Sequence, residues 1–193
     1  MEAAARRIAT YEDLLAVPSG QVAELLYGVL HTHPRPAPPH ARAAGRLTMK
    51  LGRSFDEGDD GPGGWWILPE PEVHLPGGHV LVPDLAGWRE ERMPALPSTA
   101  YFELSPDWVC EVLSPSTEAV DRADKLPIYA EGGVGHVWLV DPVLGTLEVL
   151  RREGAQWLLV GTFKGQARVR AEPFDAVELD LGALWRGPAK AKR

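Results

Sequence analysis

The segment 108–113, with the sequence Trp-Val-Cys-Glu-Val-Leu, constrains the fold more than any other part of the chain. Nearly all of it is apolar, which is typical of a strand buried on both faces of a sheet that helices cover. Its one carboxylate, Glu111, is costly at such a position unless a cation or hydrogen bonds compensate the charge. The segment therefore predicts a layered protein with a polar function inside its sheet.

The N-terminal third of the sequence predicts a short helix, a strand and a long helix. Thr10 is a preferred cap for a short helical turn. Residues 22–30 alternate as one strand would, and the proline-rich residues 34–39 predict a connector. From His40 to Phe55, apolar residues recur at helical spacing, so the longest helix is expected there.

The middle of the sequence predicts paired strands, a helix and a further strand. Two β-prone segments, 65–75 and 80–86, are separated by Pro-Gly-Gly, which favours a hairpin. The next helix should begin near Asp124, because Pro127 is tolerated in the first helical turn but not deep in a helix. Residues 137–140 predict another buried strand.

The order of these elements predicts one α/β (α+β) domain in which helices flank a mixed central sheet. A length of 193 residues fits a single domain. The core would span about residues 20–145, followed by a β-rich extension at 146–185 and a basic tail at 186–193.

Composition excludes some classes of function. Twenty Lys and Arg against 27 Asp and Glu give a net charge of −7, so the chain does not coat nucleic acid through positive charge, and any contact must be local. The single cysteine, Cys110, cannot form an intramolecular disulfide. Neither an apolar leader nor a membrane-length run is present, which predicts a cytoplasmic protein with no membrane partner.

Three residues suit phosphate chemistry. Asp84 follows a β-prone segment, Glu111 lies in the buried strand, and Lys125 begins the next helix. Two carboxylates from neighbouring strands repel each other unless a divalent cation neutralises them, and hard oxygen donors suit Mg²⁺ or Mn²⁺. A lysine beside such a metal can position a water and stabilise charge on a phosphate. The trio predicts metal-dependent cleavage of phosphodiester bonds.

Several separated blocks resemble the Uma2-like endonuclease family, formerly a domain of unknown function, within the PD-(D/E)xK nuclease superfamily. The similarity covers about residues 10–145 and rests on these blocks: 24–28, His40 before its helix, 83–84, 111–117, Asp121, 125–129 and 137–142. The superfamily pattern has its lysine two residues after the second carboxylate, where this chain has Leu113, and the family resemblance instead offers Lys125. Tyr27 stands where the family commonly has an acid.

The resemblance implies a restriction-endonuclease-like αβββαβ core and a set of roles. Asp84 and Glu111 would be the metal ligands, and Lys125 would orient the attacking water. Glu24 and the main-chain carbonyl of Val112 would be further metal ligands. Asp121 and Tyr129 would hold Lys125 and the ligands in position.

The expected substrate is DNA, and no organic cofactor is expected. Because the net charge is acidic, DNA contacts would come from a local patch made by Arg42, Arg46 and Arg53, with Arg35. A homodimer is expected because cutting both strands often requires paired sites.

Other interpretations stay open at this point. A salt bridge between Glu111 and Lys125 would satisfy both charges without catalysis, which would leave a silent nuclease-fold interaction or scaffold domain. A nuclease that acts on RNA is a further alternative. His31, His33 and His40 could suggest a transition-metal site, but no cysteine or spaced acid completes a tetrahedral set, so these histidines are predicted to be solvated.

Overall fold

The computed structural model describes residues 7–34 and 36–185, and Arg35 and the predicted basic tail lie outside them. The described elements, in chain order, are α1 (Tyr11–Leu15), β1 (Gln21–Leu26), β2 (Val29–Pro34), α2 (Pro38–Leu51) with a π-helical turn (Gly52–Asp56), β3 (Trp65–Pro69), β4 (Val73–Leu75), β5 (His79–Leu81), β6 (Leu85–Arg89), β7 (Trp108–Val112), α3 (Glu118–Val120) with a π-helical turn (Asp121–Lys125), α4 (Leu126–Glu131), β8 (His136–Asp141), β9 (Thr146–Glu153), β10 (Gln156–Lys164), β11 (Arg168–Val169), β12 (Leu179–Asp180) and α5 (Gly182–Trp185).

A six-stranded mixed sheet, in the order β10-β9-β8-β7-β6-β3, forms the centre of the fold. Its neighbouring strands are antiparallel except β7 and β8, which run parallel and are joined by the crossover that contains α3 and α4. The order α2, β3, β6, β7, crossover helix, β8 is the expected αβββαβ core, and the predicted fold class is confirmed. The C-terminal strands β9 and β10 continue the same sheet.

A smaller sheet, in the order β2-β1-β5-β4, contains a hairpin where one strand was expected. Residues 22–30 turn back at Tyr27 and Gly28, whose φ angles are 51° and 72°. Two consecutive residues with positive φ match the tight hairpin turns whose twist suits paired strands. The prediction of one strand was wrong because a bulky residue such as Tyr27 rarely adopts this conformation, so its sequence gives little warning of a turn.

The predicted hairpin around Pro-Gly-Gly is present, but each of its arms divides between the two sheets. The inner ends, β4 and β5, pair in the smaller sheet, and the outer ends, β3 and β6, pair in the central sheet. The arms bend at Glu70–Pro71 and at Val82–Pro83, where proline has no N–H to offer a strand ladder. The second bend places Asp84 at the junction of the two sheets.

Both helices begin earlier than the sequence predicts. α2 starts at Pro38, where the missing N–H of proline costs no hydrogen bond, so the connector is shorter than residues 34–39. The crossover helix runs without a break from Glu118 to Glu131, and Lys125 lies in its middle rather than in its first turn. A π-helical turn precedes Pro127, and such widened turns relieve the clash that proline causes inside a helix.

The C-terminal segment packs against the face of the central sheet that α2 covers. Phe174 lies at the centre of this contact and is 2% exposed. Its ring centroid lies 4.7–5.6 Å from four other aromatic rings, those of Phe55, Trp65, Trp108 and Trp138. This packing joins the predicted β-rich extension to the hydrophobic core of the central sheet.

Replacing Phe174 with alanine is expected to lower the free energy of unfolding by about 3–5 kcal/mol, because the cavity would open among four packed rings. Urea unfolding followed by tryptophan fluorescence measures this loss. Phe163→Ala, at a partly buried position on the edge strand β10, is the control and should cost less. Equal losses would contradict a central role for Phe174, and a single transition would support the prediction of one domain.

No helix within residues 7–34 and 36–185 has both the length and the apolar character that a membrane span requires.

Candidate active site

A cleft of about 310 Å³ opens at the junction of the two sheets. Its walls come from β1, β2, the beginning of α2, the bend before β6, the end of β7 and the crossover helix. The polar side chains that line it are those of His33, His40, Glu70, Asp84, Glu111, Ser114, Ser116, Thr117, Asp121 and Lys125. The fold therefore brings the three predicted catalytic residues to one cavity.

Lys125 lies at the centre of a buried cluster of charges. Its Nζ is 3.0 Å from Glu24 Oε1, 3.1 Å from Asp121 Oδ1 and 3.3 Å from Glu111 Oε1. All four side chains are at most 5% exposed. Asp121 and Lys125 face each other because they are four residues apart on the crossover helix. Glu24 reaches the same ammonium from β1, and the N–H of Val82 donates to its Oε1 at 2.8 Å.

One ammonium cannot neutralise three carboxylates, and the pKa values reflect this imbalance. Burial acts to lower the pKa of Lys125, but the carboxylates of Glu111 and Glu24 outweigh it and hold that pKa well above its ordinary value. Burial acts to raise the pKa of Glu24, but Lys125 and His33 outweigh it and lower that pKa to about 2. Burial also raises the pKa of Asp121.

The pKa of Glu111 shifts in the opposite direction to that of Glu24. Burial raises its pKa well above the ordinary value, although Lys125 acts in the other direction. The hydroxyl of Tyr129 donates a 2.5 Å hydrogen bond to Glu111 Oε1, and burial raises the pKa of Tyr129 itself. Tyr129 and Lys125 therefore both contact one oxygen of Glu111. A divalent cation beside Glu111 would favour its ionised form and so lower this pKa.

Asp84 lines the same cleft but is not among the ion-pair partners of Lys125. The N–H of Val112, on the neighbouring strand, donates to Asp84 Oδ2 at 2.7 Å. His40 Nε2 lies 3.3 Å from the same oxygen. Because Leu85 pairs with Cys110 across the sheet, Asp84 and Glu111 come from adjacent strands, and both line the cleft.

The donor chemistry of the cleft fits a hard divalent cation. Within the part of the chain that the structure describes, no three Asp, Glu, His or Cys side chains are arranged to hold a metal by themselves. Mg²⁺ does not need such a set, since it usually keeps several waters and binds one or two carboxylates together with substrate phosphates. Asp84 and Glu111 supply two such carboxyl groups in the lining of one cleft.

The predicted DNA-binding arginines lie elsewhere. Arg46 and Arg53 line a second cavity of about 430 Å³ beside α2, and neither they nor Arg42 line the cleft. Arg53 is ion-paired with Asp60 at 3.1 Å, and Arg46 is exposed. The structure therefore does not bring these arginines to the predicted catalytic residues.

Two histidines of the cleft were not predicted to belong to the site. His33 Nε2 lies 3.5 Å from Glu24 Oε2, and a hydrogen bond with Glu24 raises the pKa of His33. His40 contacts Asp84. The expectation that both would be solvated was wrong, because it rested on the lack of a tetrahedral set within the local sequence. The sequence feature that could have indicated a site role for His40 is its place in the family resemblance, directly before a helix.

A comparison with family models finds a match to Uma2, described as "Putative restriction endonuclease", over residues 8–182. The chain belongs to the Uma2 family. The predicted resemblance is thus confirmed, and the Uma2 match extends beyond residue 145 to include the C-terminal strands. Membership supports nuclease activity, that is, hydrolysis of phosphodiester bonds.

A solved structure supports the fold of this Uma2 chain. It comes from Anabaena variabilis ATCC 29413 and is described as a putative nuclease belonging to DUF820. The two chains are 21% identical, the alignment covers 91% of this chain and 97% of the other, and the TM-score is 0.72. The comparison with curated proteins gives no match.

Proposed function

We propose that this chain is a divalent-metal-dependent endonuclease that hydrolyses phosphodiester bonds in DNA. The observation that carries the proposal is that Asp84 and Glu111, from adjacent strands, line one cleft with Lys125. Oxygen donors that share a cleft with a buried ammonium suit both the metal and the phosphate of such a reaction.

Asp84 and Glu111 would hold Mg²⁺ or Mn²⁺, and Glu24 and the main-chain carbonyl of Val112 are further candidate ligands. The metal would supply Lewis acidity and an activated water. The N–H of Val112 orients Asp84, and Tyr129 orients Glu111. Lys125, which Asp121 holds in place, would orient the attacking water and stabilise the charge that develops on the phosphate.

The test is cleavage by the full chain of supercoiled plasmid, single-stranded DNA and single-stranded RNA, with Mg²⁺, Mn²⁺ or a chelator, together with calorimetric titration of each metal. Metal-dependent nicking of the plasmid is expected, and it should be lost in Glu111→Gln. Glu153→Gln, at an exposed position paired with Arg151, is the matched control and should keep its activity. Cleavage of RNA alone would overturn the DNA assignment and favour the RNA alternative.

A silent scaffold domain is the second candidate. The observation in its favour is that Lys125 already has three carboxylate partners, which is enough to satisfy its charge without catalysis. The absence of metal binding in a folded wild-type chain would support this candidate and contradict the nuclease proposal.

Contacts with DNA are proposed at Arg42, Arg46 and Arg53. Replacing Arg46 and Arg53 together with glutamine is expected to weaken DNA binding about equally for all sequences, and to reduce the salt slope by about one for each phosphate that an arginine no longer neutralises. Fluorescence anisotropy at several salt concentrations, with metal chelated, measures both effects. Arg168→Gln, at an exposed position on β11, is the control. An unchanged slope in the double variant would place the DNA-binding surface elsewhere.

The homodimer and the cytoplasmic location also stay predictions.

A further inference from the structure

His40 is the polar side chain beside Asp84 to which the proposed reaction gives no role. It lies in the first turn of α2, lines the cleft, and has a side chain that is 13% exposed. Its Nε2 is 3.3 Å from Asp84 Oδ2. Its Nδ1 is buried and finds no hydrogen-bond partner within the described part of the chain. His40 therefore presents Nε2 to the cleft beside a carboxylate, while only its Nδ1 is buried.

The separation of His40 and Asp84 matches two ligands of one metal. Ligands on neighbouring corners of an octahedron, each about 2.1 Å from the metal, lie about 3.0 Å apart. The observed 3.3 Å therefore requires a shift of only a few tenths of an ångström for one ion to contact both atoms. The N–H of Val112 holds Asp84, and the helix holds the backbone of His40, so both donors are positioned before a metal arrives.

The second histidine of the cleft is in a different situation. The carboxylate beside His33 is Glu24, which already contacts Lys125 and the N–H of Val82. A charge that is neutralised in this way attracts a metal less strongly than Asp84 does. This difference selects His40 as the nitrogen donor and leaves His33 as a matched control.

We propose that His40 is a direct ligand of the divalent metal, together with Asp84, and that its nitrogen makes the site prefer Mn²⁺ to Mg²⁺. Mg²⁺ favours oxygen donors, whereas imidazole favours transition metals. Mn²⁺ accepts both kinds of donor at similar distances. The inference rests on the proposed function, because it requires that the cleft binds a metal.

Mn²⁺ is also the probe for the test, because its electron paramagnetic resonance reports binding without any need for catalysis. Mn²⁺ and Mg²⁺ affinities are measured for the wild type, His40→Gln and His33→Gln, and pulsed spectra detect ¹⁴N coupled to bound Mn²⁺. The wild type and His33→Gln should show the coupling. His40→Gln should lose it and bind Mn²⁺ about tenfold more weakly or worse, with a smaller change for Mg²⁺.

Two results would overturn the inference, and they differ in what else they overturn. If Mn²⁺ binds the wild type without ¹⁴N coupling, His40 is not a ligand, but the metal-dependent nuclease proposal stands. If neither Mn²⁺ nor Mg²⁺ binds the wild type, both proposals fail. The wild-type measurements alone decide between these cases, so the test holds even if His40→Gln proves unstable. Coupling that disappears in His33→Gln and persists in His40→Gln would also overturn the assignment.

Discussion

The Asp84→Asn variant is expected to cleave plasmid DNA at least about 10³-fold more slowly than the wild type, because a neutral amide is a poor substitute for a carboxylate ligand. The amide oxygen of asparagine can still accept the N–H of Val112, so the junction between the sheets should stay intact. Initial rates of nicking at saturating Mg²⁺ measure the effect, and circular dichroism confirms the fold.

Asp141→Asn is the matched control for Asp84→Asn. Asp141 is the last residue of β8 in the same sheet. It accepts hydrogen bonds from the N–H groups of Val143 and Leu144, both at 2.8 Å, but it does not line the cleft. Its replacement should leave the nicking rate within about twofold of the wild type, as expected for a turn-capping change at a residue that does not line the cleft. Equal losses in both variants would mean that Asp84 acts only as a structural cap.

The Lys125→Met variant is expected to lose about 3–5 kcal/mol of unfolding free energy, because three buried carboxylates would be left without the ammonium that they share. Methionine keeps much of the side-chain volume, so packing changes contribute little to this loss. Urea unfolding at neutral pH measures it. The double variant with Glu24→Gln should recover part of the stability, since one of the stranded charges is removed.

Arg122→Met is the control for the lysine variant. Arg122 lies on the same helix and is ion-paired with Glu118 and Glu148, but its side chain is 36% exposed. Exposed ion pairs contribute about 0–1 kcal/mol, so this replacement should cost much less. Similar losses of unfolding free energy in the two variants would contradict the conclusion that burial makes the loss of Lys125 more costly than the loss of an exposed ion pair.

The central part of the fold could be predicted because its signals are local. The apolar segment around Glu111 has the pattern of a strand covered on both faces, and β7 is buried along its whole length. The regular spacing from His40 to Phe55 likewise indicated α2. The pairing of Lys125 with Tyr129 on one face followed from helical geometry, and both side chains contact Glu111.

The remaining features depend on interactions between distant segments. Glu24 is about a hundred residues from Lys125 in the sequence, and no local pattern states that β1 reaches the crossover helix. The π-helical turn before Pro127 accommodates the proline ring while the whole helix stays packed against the fold. The contact of His40 with Asp84 arises only after α2 docks beside the bend in the hairpin.

The bend in the long hairpin also determines where this chain can change its length. Successive side chains of a strand alternate between faces, so one residue added at Glu70–Pro71 or at Val82–Pro83 would exchange the two faces of the strand that follows. An insertion at Val82–Pro83 would shift Val82, whose N–H donates to Glu24, relative to Asp84, and so disturb the cleft between the two sheets. The loop between β6 and β7 has no such constraint over most of its exposed residues. Length variation among relatives should therefore accumulate in that loop and be rare at the two bends.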